Sequence, residues 1–151
     1  MNRIFLAKPS ITQAERDAVA AVMATDRLAM GPQVEALEAR FRELTGVEYA
    51  VAVSSGTAGL HLSVLAAGLG RGDAAITSPY SFIASSNCLL YEDVLPIFVD
   101  IDPVTLNASV ELAEEAAHDL GQGGASARRW LPPAAREAEL PVVEDCAQAN
   151  G

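Results

Sequence analysis

Apolar positions fall at helical spacing twice near the start of the chain. Residues 12–26 place Val19, Val22 and Met23 on one side, and Thr12 followed by Glu15 fits a capping box. Residues 33–45 repeat the pattern with Val34, Leu37, Phe41 and Leu44, after a Gly31-Pro32 break and before Gly46, a natural C-cap. The pattern then changes. Tyr49–Val53 is a short run rich in valine, which predicts a strand. Ser54-Ser55-Gly56-Thr57 is a turn, and Ala58–Leu69 predicts a helix apolar nearly all round, hence buried on more than one side. A loop, Gly70–Asp73, leads to a strand over Ala75–Thr77 that Pro79 ends. Ser81–Tyr91 predicts a helix, Val94–Asp100 a strand, Val110–Ala117 a helix and Leu140–Glu144 a last strand.

Strand, helix, strand, helix, strand at this spacing predicts an α/β domain with a mostly parallel sheet. Strands covered by helices on both faces are apolar throughout, and these nearly are. Gly121–Glu139 shows little periodicity and a Pro132-Pro133 pair, and reads as irregular.

Composition narrows the function. The 151 residues are half apolar and one fifth charged, which is globular composition. Twenty acidic against ten basic residues give a net charge of −10. That disfavours nucleic acid, whose phosphates ask for a basic face, and an anionic membrane surface. Cys88 and Cys146 are too few for a disulfide scaffold, and with His61 and His118 they offer no zinc spacing, so no metal is expected. The first residues contain no long apolar run, and the uncharged stretch Tyr49–Gly70 is broken by its Ser-Ser-Gly-Thr turn. The expectation is therefore a cytoplasmic protein without a signal peptide or membrane span. Lysine occurs once, at Lys8.

Three constellations bear on chemistry, each with a plainer alternative. Gly56, Thr57 and Ala58 lie between a strand and a helix, where unpaired amides and the helix dipole can hold a phosphate. The alternative is an ordinary cap made by Ser55 or Thr57. Glu144-Asp145 ends an apolar strand, where α/β sheets bind ligands. A partly buried carboxylate there needs a cation or a donor, such as a protonated ring nitrogen. The alternative is an N-cap for the segment starting at Cys146. Tyr80-Ser81-Phe82 follows a strand and offers a ring to stack on a planar ligand, or simply core. Gly68–Gly72 imitates a dinucleotide glycine run but follows a helix and precedes a strand, the wrong order. His61 reads as a satisfied core histidine, and Cys146 as a small packing residue.

Four pieces in order carry a resemblance: ITQAERDAVAAVMATDRLAMGPQVEALEARFRELTGVEYAVAVSSGTAGLHLSVLAAGLGRGD, then SPYSFIASSN, then FVDIDPVTLN, then LPVVEDCAQANG. Over 1–111 and 140–151 the chain resembles the DegT/StrS family of pyridoxal-phosphate (PLP) aminotransferases. The resemblance implies part of a fold type I large domain, incomplete, with a parallel sheet and helices on both faces. It divides the chain into an N-terminal helical segment, 1–46, a sheet core, 47–111 and 140–151, and an irregular part, 112–139. It implies amino transfer, with glutamate as donor, to a nucleotide-linked keto sugar, in a homodimer. By position, Gly56, Thr57 and Ala58 match the phosphate turn, and Phe82 the residue stacked on the pyridine ring. Asp145 matches the carboxylate paired with the ring nitrogen, and Gln148 the residue beside the phenolic oxygen.

The departures are also informative. Family members are more than twice as long, and their cofactor-tethering lysine lies beyond the EDxAQ motif, so the 151 residues alone are expected to be inactive. The family's serine that assists with the phosphate and its C-terminal small domain are likewise not expected within these residues. Between TLN and the last strand the family has a further strand, a Pro-Val-His and a Gly-Gln. Here the segment Ala116–Gln122 joins the preceding helix directly to a His-x-x-Gly-Gln piece. The expectation is that one strand, about a dozen residues, is missing, with the stretch after it read in an altered frame. Two alternatives remain: a dehydratase relative with histidine in place of the lysine, and a non-catalytic remnant that binds or dimerises.

Overall fold

The computed structural model describes residues 8–122 together with Val143 and Asp145. The chain divides between Ala52 and Val53 into two units, six residues beyond the boundary the resemblance implies.

The first unit holds α1 (Gln13–Met23) and α2 (Pro32–Thr45). The expected capping box starts α1. Thr12 Oγ1 accepts from the Ala14 N–H at 3.2 Å, and the Glu15 carboxylate accepts from the Thr12 N–H at 2.6 Å. These bonds satisfy amides that a helix start leaves without partners. The Thr12 hydroxyl, first, and the Thr12 N–H hold the Glu15 carboxyl below its ordinary range. Pro32 opens α2 at a position where no N–H is required. Gly46 closes it with φ +72°, a left-handed conformation that a side chain would strain, and its N–H reaches Arg42 O at 2.9 Å. Neither helix has a buried residue.

The second unit contains α3 (Gly56–Ala66), β1 (Ala74–Thr77), α4 (Ala84–Leu90), β2 (Leu95–Phe98) and α5 (Val110–Gln122). The strands pair in parallel, Ala74 with Leu95 through Thr77 with Phe98, with α4 as the crossover between them. Leu95 and Val99 donate their N–H groups to Asp73 and Thr77 of the β1 side. Pro96, between them, therefore lacks its N–H on the edge turned away from β1, where it costs no bond of this pair.

Alternation along β1 divides the core. Ala75 joins Val64, Leu69, Cys88, Leu89 and Val94, the layer contributed mostly by α3 and α4. Its neighbour Ile76 joins Val99, Ala113 and Ala117, the layer under α5. Successive side chains point to opposite faces, so the parallel pair carries helices on both sides. The α/β class with a parallel sheet is thus present, with two strands among the described residues.

Several expectations need correction. Tyr49–Val53 forms no strand, and Val51 is 76% exposed. Its valines favour a strand, yet a strand needs a partner for its amides, and none is offered among the described residues. One amide of the run, that of Ala52, is taken instead by Glu38 Oε1 at 2.9 Å. The helix expected at Ala58–Leu69 starts two residues earlier and ends at Ala66, and only Val64 is fully buried, while Leu62 is half exposed. No described element covers its second apolar face. The helix expected over Ser81–Tyr91 forms at Ala84–Leu90. The helix expected to end at Ala117 runs to Gln122, so the region 112–139 is not irregular in its first part. The Leu140–Glu144 strand lies mostly outside the described residues, and Val143, within them, belongs to no regular element.

Candidate functional site

The second unit brings the candidate groups to the starts of two helices. At α3, Ser55 is the N-cap, with its Oγ accepting from the Ala58 N–H at 3.1 Å. The capping alternative therefore holds for Ser55. It does not use up the turn, since the Gly56 and Thr57 N–H groups have no partner among the described residues. Two amides at a helix start, beside the Thr57 hydroxyl, suit an anionic oxygen. Thr57 and Ala58 are half-buried, Gly56 exposed.

The second group follows β1. Ser78 Oγ accepts from the Tyr80 N–H at 3.2 Å and shapes the bend after the strand. Phe82, two residues before α4, is 71% exposed, and Tyr80 is exposed as well. The core alternative for these rings does not hold. An apolar ring left in water at a strand's carboxyl end is available for stacking.

The third group reaches this place from sixty residues away. Ser85 Oγ, on the first turn of α4, donates to Asp145 Oδ2 at 2.7 Å. Ser81 Oγ lies 2.9 Å from Ser85 Oγ. Asp145 is exposed rather than partly buried as expected, and it meets a donor, as expected. Three residues along α4, Cys88 is buried. Burial, chiefly, pushes its thiol up, and the Asp145 charge adds to that.

Ser85 escaped the sequence reading although it stands in the quoted YSFIAS. The available signal was its place three residues after Phe82, one helical turn on. Gln148, Glu144 and Cys146 lie outside the described residues. His61 is satisfied, as expected: its Nε2 lies 2.6 Å from Glu92 Oε1, and its ring meets Tyr91 edge-on at 5.2 Å. It is half-buried rather than core. Gly68–Gly72 is a loop, as its order required, pinned by Asp73 Oδ2 accepting from the Gly70 N–H at 3.0 Å. No helix among the described residues is long and apolar enough to cross a membrane.

Comparison with known proteins bears on the chain as a whole. The chain is 34% identical over 152 aligned positions to an uncharacterized protein of Methanocaldococcus jannaschii, covering 95% of this chain and 39% of that protein. A DegT DnrJ EryC1 StrS aminotransferase from Brucella abortus superposes with a TM-score of 0.81 at 28% identity, over 88% of this chain and 40% of that one. The E. coli GDP-4-keto-6-deoxy-D-mannose-3-dehydratase with bound hydrated PLP superposes with a TM-score of 0.69 at 32% identity, over 74% and 30%. The chain thus spans about two fifths of the length of the curated relative it matches. The family model for DegT/DnrJ/EryC1/StrS aminotransferases matches residues 9–151, and the chain belongs to that family.

Proposed function

We propose that this chain supplies the cofactor-binding part of a PLP-dependent aminotransferase that acts on a nucleotide-linked keto sugar, with glutamate as donor. The observation that carries the reading is the Ser85–Asp145 bond, which joins the EDCAQ motif to the YSFIAS motif beside an exposed Phe82. When bound, PLP supplies an electron sink for bonds next to an imine nitrogen. The residues present suit such a group. Gly56 and Thr57 offer amides and a hydroxyl to its phosphate, and Phe82 offers a ring face. Asp145 offers a carboxylate, which favours a protonated ring nitrogen as an opposite charge does. Gln148 is assigned to the phenolic oxygen by its motif alone. The homodimer and the cytoplasmic location belong to the same proposal.

Alone, the 151 residues hold the cofactor without a covalent tether and do not transaminate, because the one lysine, Lys8, lies far in sequence from the cofactor-binding residues Gly56, Phe82 and Asp145. The likeness to the E. coli dehydratase supports a second reading, in which the same residues hold PLP for loss of water from a keto sugar. A titration of the chain with PLP, followed by absorbance and phosphorus NMR, tests the cofactor role. Saturable binding is expected, weakened about fivefold or more by Phe82→Ala and by Asp145→Asn. Borohydride should fix no cofactor at an interior site of the chain. Absence of saturable binding, or indifference to both substitutions, overturns the reading.

A further inference from the structure

We propose that the paired hydroxyls of Ser81 and Ser85 form a directed relay that orients the Asp145 carboxylate toward the cofactor's ring nitrogen, making Ser85 a positioning residue. The inference rests on the cofactor reading above and adds to it a device that the motif itself does not assign.

The direction of the relay follows from proton bookkeeping. A serine hydroxyl carries one proton to donate, and a carboxylate only accepts. Ser85 spends its proton on Asp145 Oδ2 at 2.7 Å. The 2.9 Å contact between Ser81 and Ser85 must then run from Ser81 to Ser85. Each donated bond polarises the next, so the Ser81 contact strengthens the bond that Ser85 makes to the carboxylate.

The placement gives the relay a purpose. Asp145 is exposed, and a bond from Ser85 narrows the orientations its carboxylate can take. Ser85 is half-buried on the first turn of α4, whose Ala84, Cys88 and Leu89 are in the core. The donor is thus fixed to the packed part of the fold, and the bond ties the carboxylate to it. Ser81 and Phe82 are consecutive, so one short connection supplies both the start of the relay and the ring for stacking. Orientation of this kind matters because a charge-assisted bond to a ring nitrogen depends steeply on angle.

The discriminating experiment compares PLP with its deaza analogue, in which carbon replaces the ring nitrogen, as ligands of the full 151-residue chain. For Ser85→Ala we expect PLP binding to weaken about tenfold, the order of one lost charge-assisted bond, and deaza-PLP binding to stay within about twofold. Ser85→Thr, which keeps the hydroxyl, should restore PLP binding, and Ser81→Ala should show a smaller loss in the same direction. The ring-nitrogen NMR signal of bound, labelled PLP should move toward the unprotonated position in Ser85→Ala. Equal weakening of both ligands, or failure of threonine to rescue, would mean a merely structural serine and overturns the relay. Should the unsubstituted chain bind PLP and the deaza analogue equally well, with Phe82→Ala still weakening both, the ring-nitrogen role of Asp145 falls and the relay with it. Phosphate and ring binding then survive. If the unsubstituted chain binds neither, both proposals fall.

Discussion

The two units use the same helical vocabulary and reach different ends. The helices of the first are well formed at their ends, with a capping box at Thr12 and a left-handed glycine at Gly46, yet neither buries a residue. Leu44, on the apolar face of α2, is two thirds exposed. In the second unit α4 begins without a side-chain cap, yet Ala84, Cys88 and Leu89 are buried. Caps and propensity define where a helix starts and stops, whereas packing supplies most of its stability. The first unit is locally specified, and the second is held by its core.

The largest effect should come from the core of the second unit. Leu89→Ala removes a buried side chain from the layer under α3 and should cost about 2–5 kcal/mol in urea denaturation. Leu44→Ala should cost under about 0.5 kcal/mol in the same assay. Similar losses for the two would mean that the α2 face is covered in solution, and the contrast between the units would disappear.

A smaller effect is expected at the α1 cap. Thr12→Ala should lower stability by about 1 kcal/mol and reduce helicity by circular dichroism, without disturbing the second unit. Acid should sharpen the contrast further. Glu15 is held below its ordinary range by Thr12. In the second unit, Asp102 is held low by the Thr105 N–H, then by the Thr105 hydroxyl and the Val104 N–H. A carboxyl with a lowered folded-state value contributes stability above its unfolded-state value and loses it as pH falls through the folded one. Both contributions should therefore be intact at neutral pH, begin to fall off near about pH 4 and be gone only below the lowered folded-state values. Amide exchange should quicken near Thr12 and over Asp102–Asn107 while Val64 and Val94 stay protected.

What the sequence revealed was mostly local. Thr12 with Glu15, and Gly46 after a run of helix formers, are signals complete within a few residues. The parallel pair was readable because β1 and β2 are bounded by Pro79 and by the turn at Asp93, with a helix between. The unformed strand at Tyr49–Val53 shows the converse. Its valines describe a preference, but pairing depends on another strand far along the chain. At the candidate site, Gly56, Thr57, Ala58, Phe82 and Asp145 were nameable from motifs. Ser85 was not: its place one turn after Phe82 was the one local signal, and its partner lies sixty residues away, beyond the reach of local spacing.

The alternation at Ala75 and Ile76 has a mechanical consequence. These neighbours, one peptide bond apart, serve two packing layers that share no other adjacent pair in β1. A slip of β1 by one position would turn each into the wrong layer at once, so no intermediate register keeps half of the fold. The short strand thus acts as a keel. Disturbing either side tilts the other, and the turn that presents Phe82 is fastened to the end of that keel.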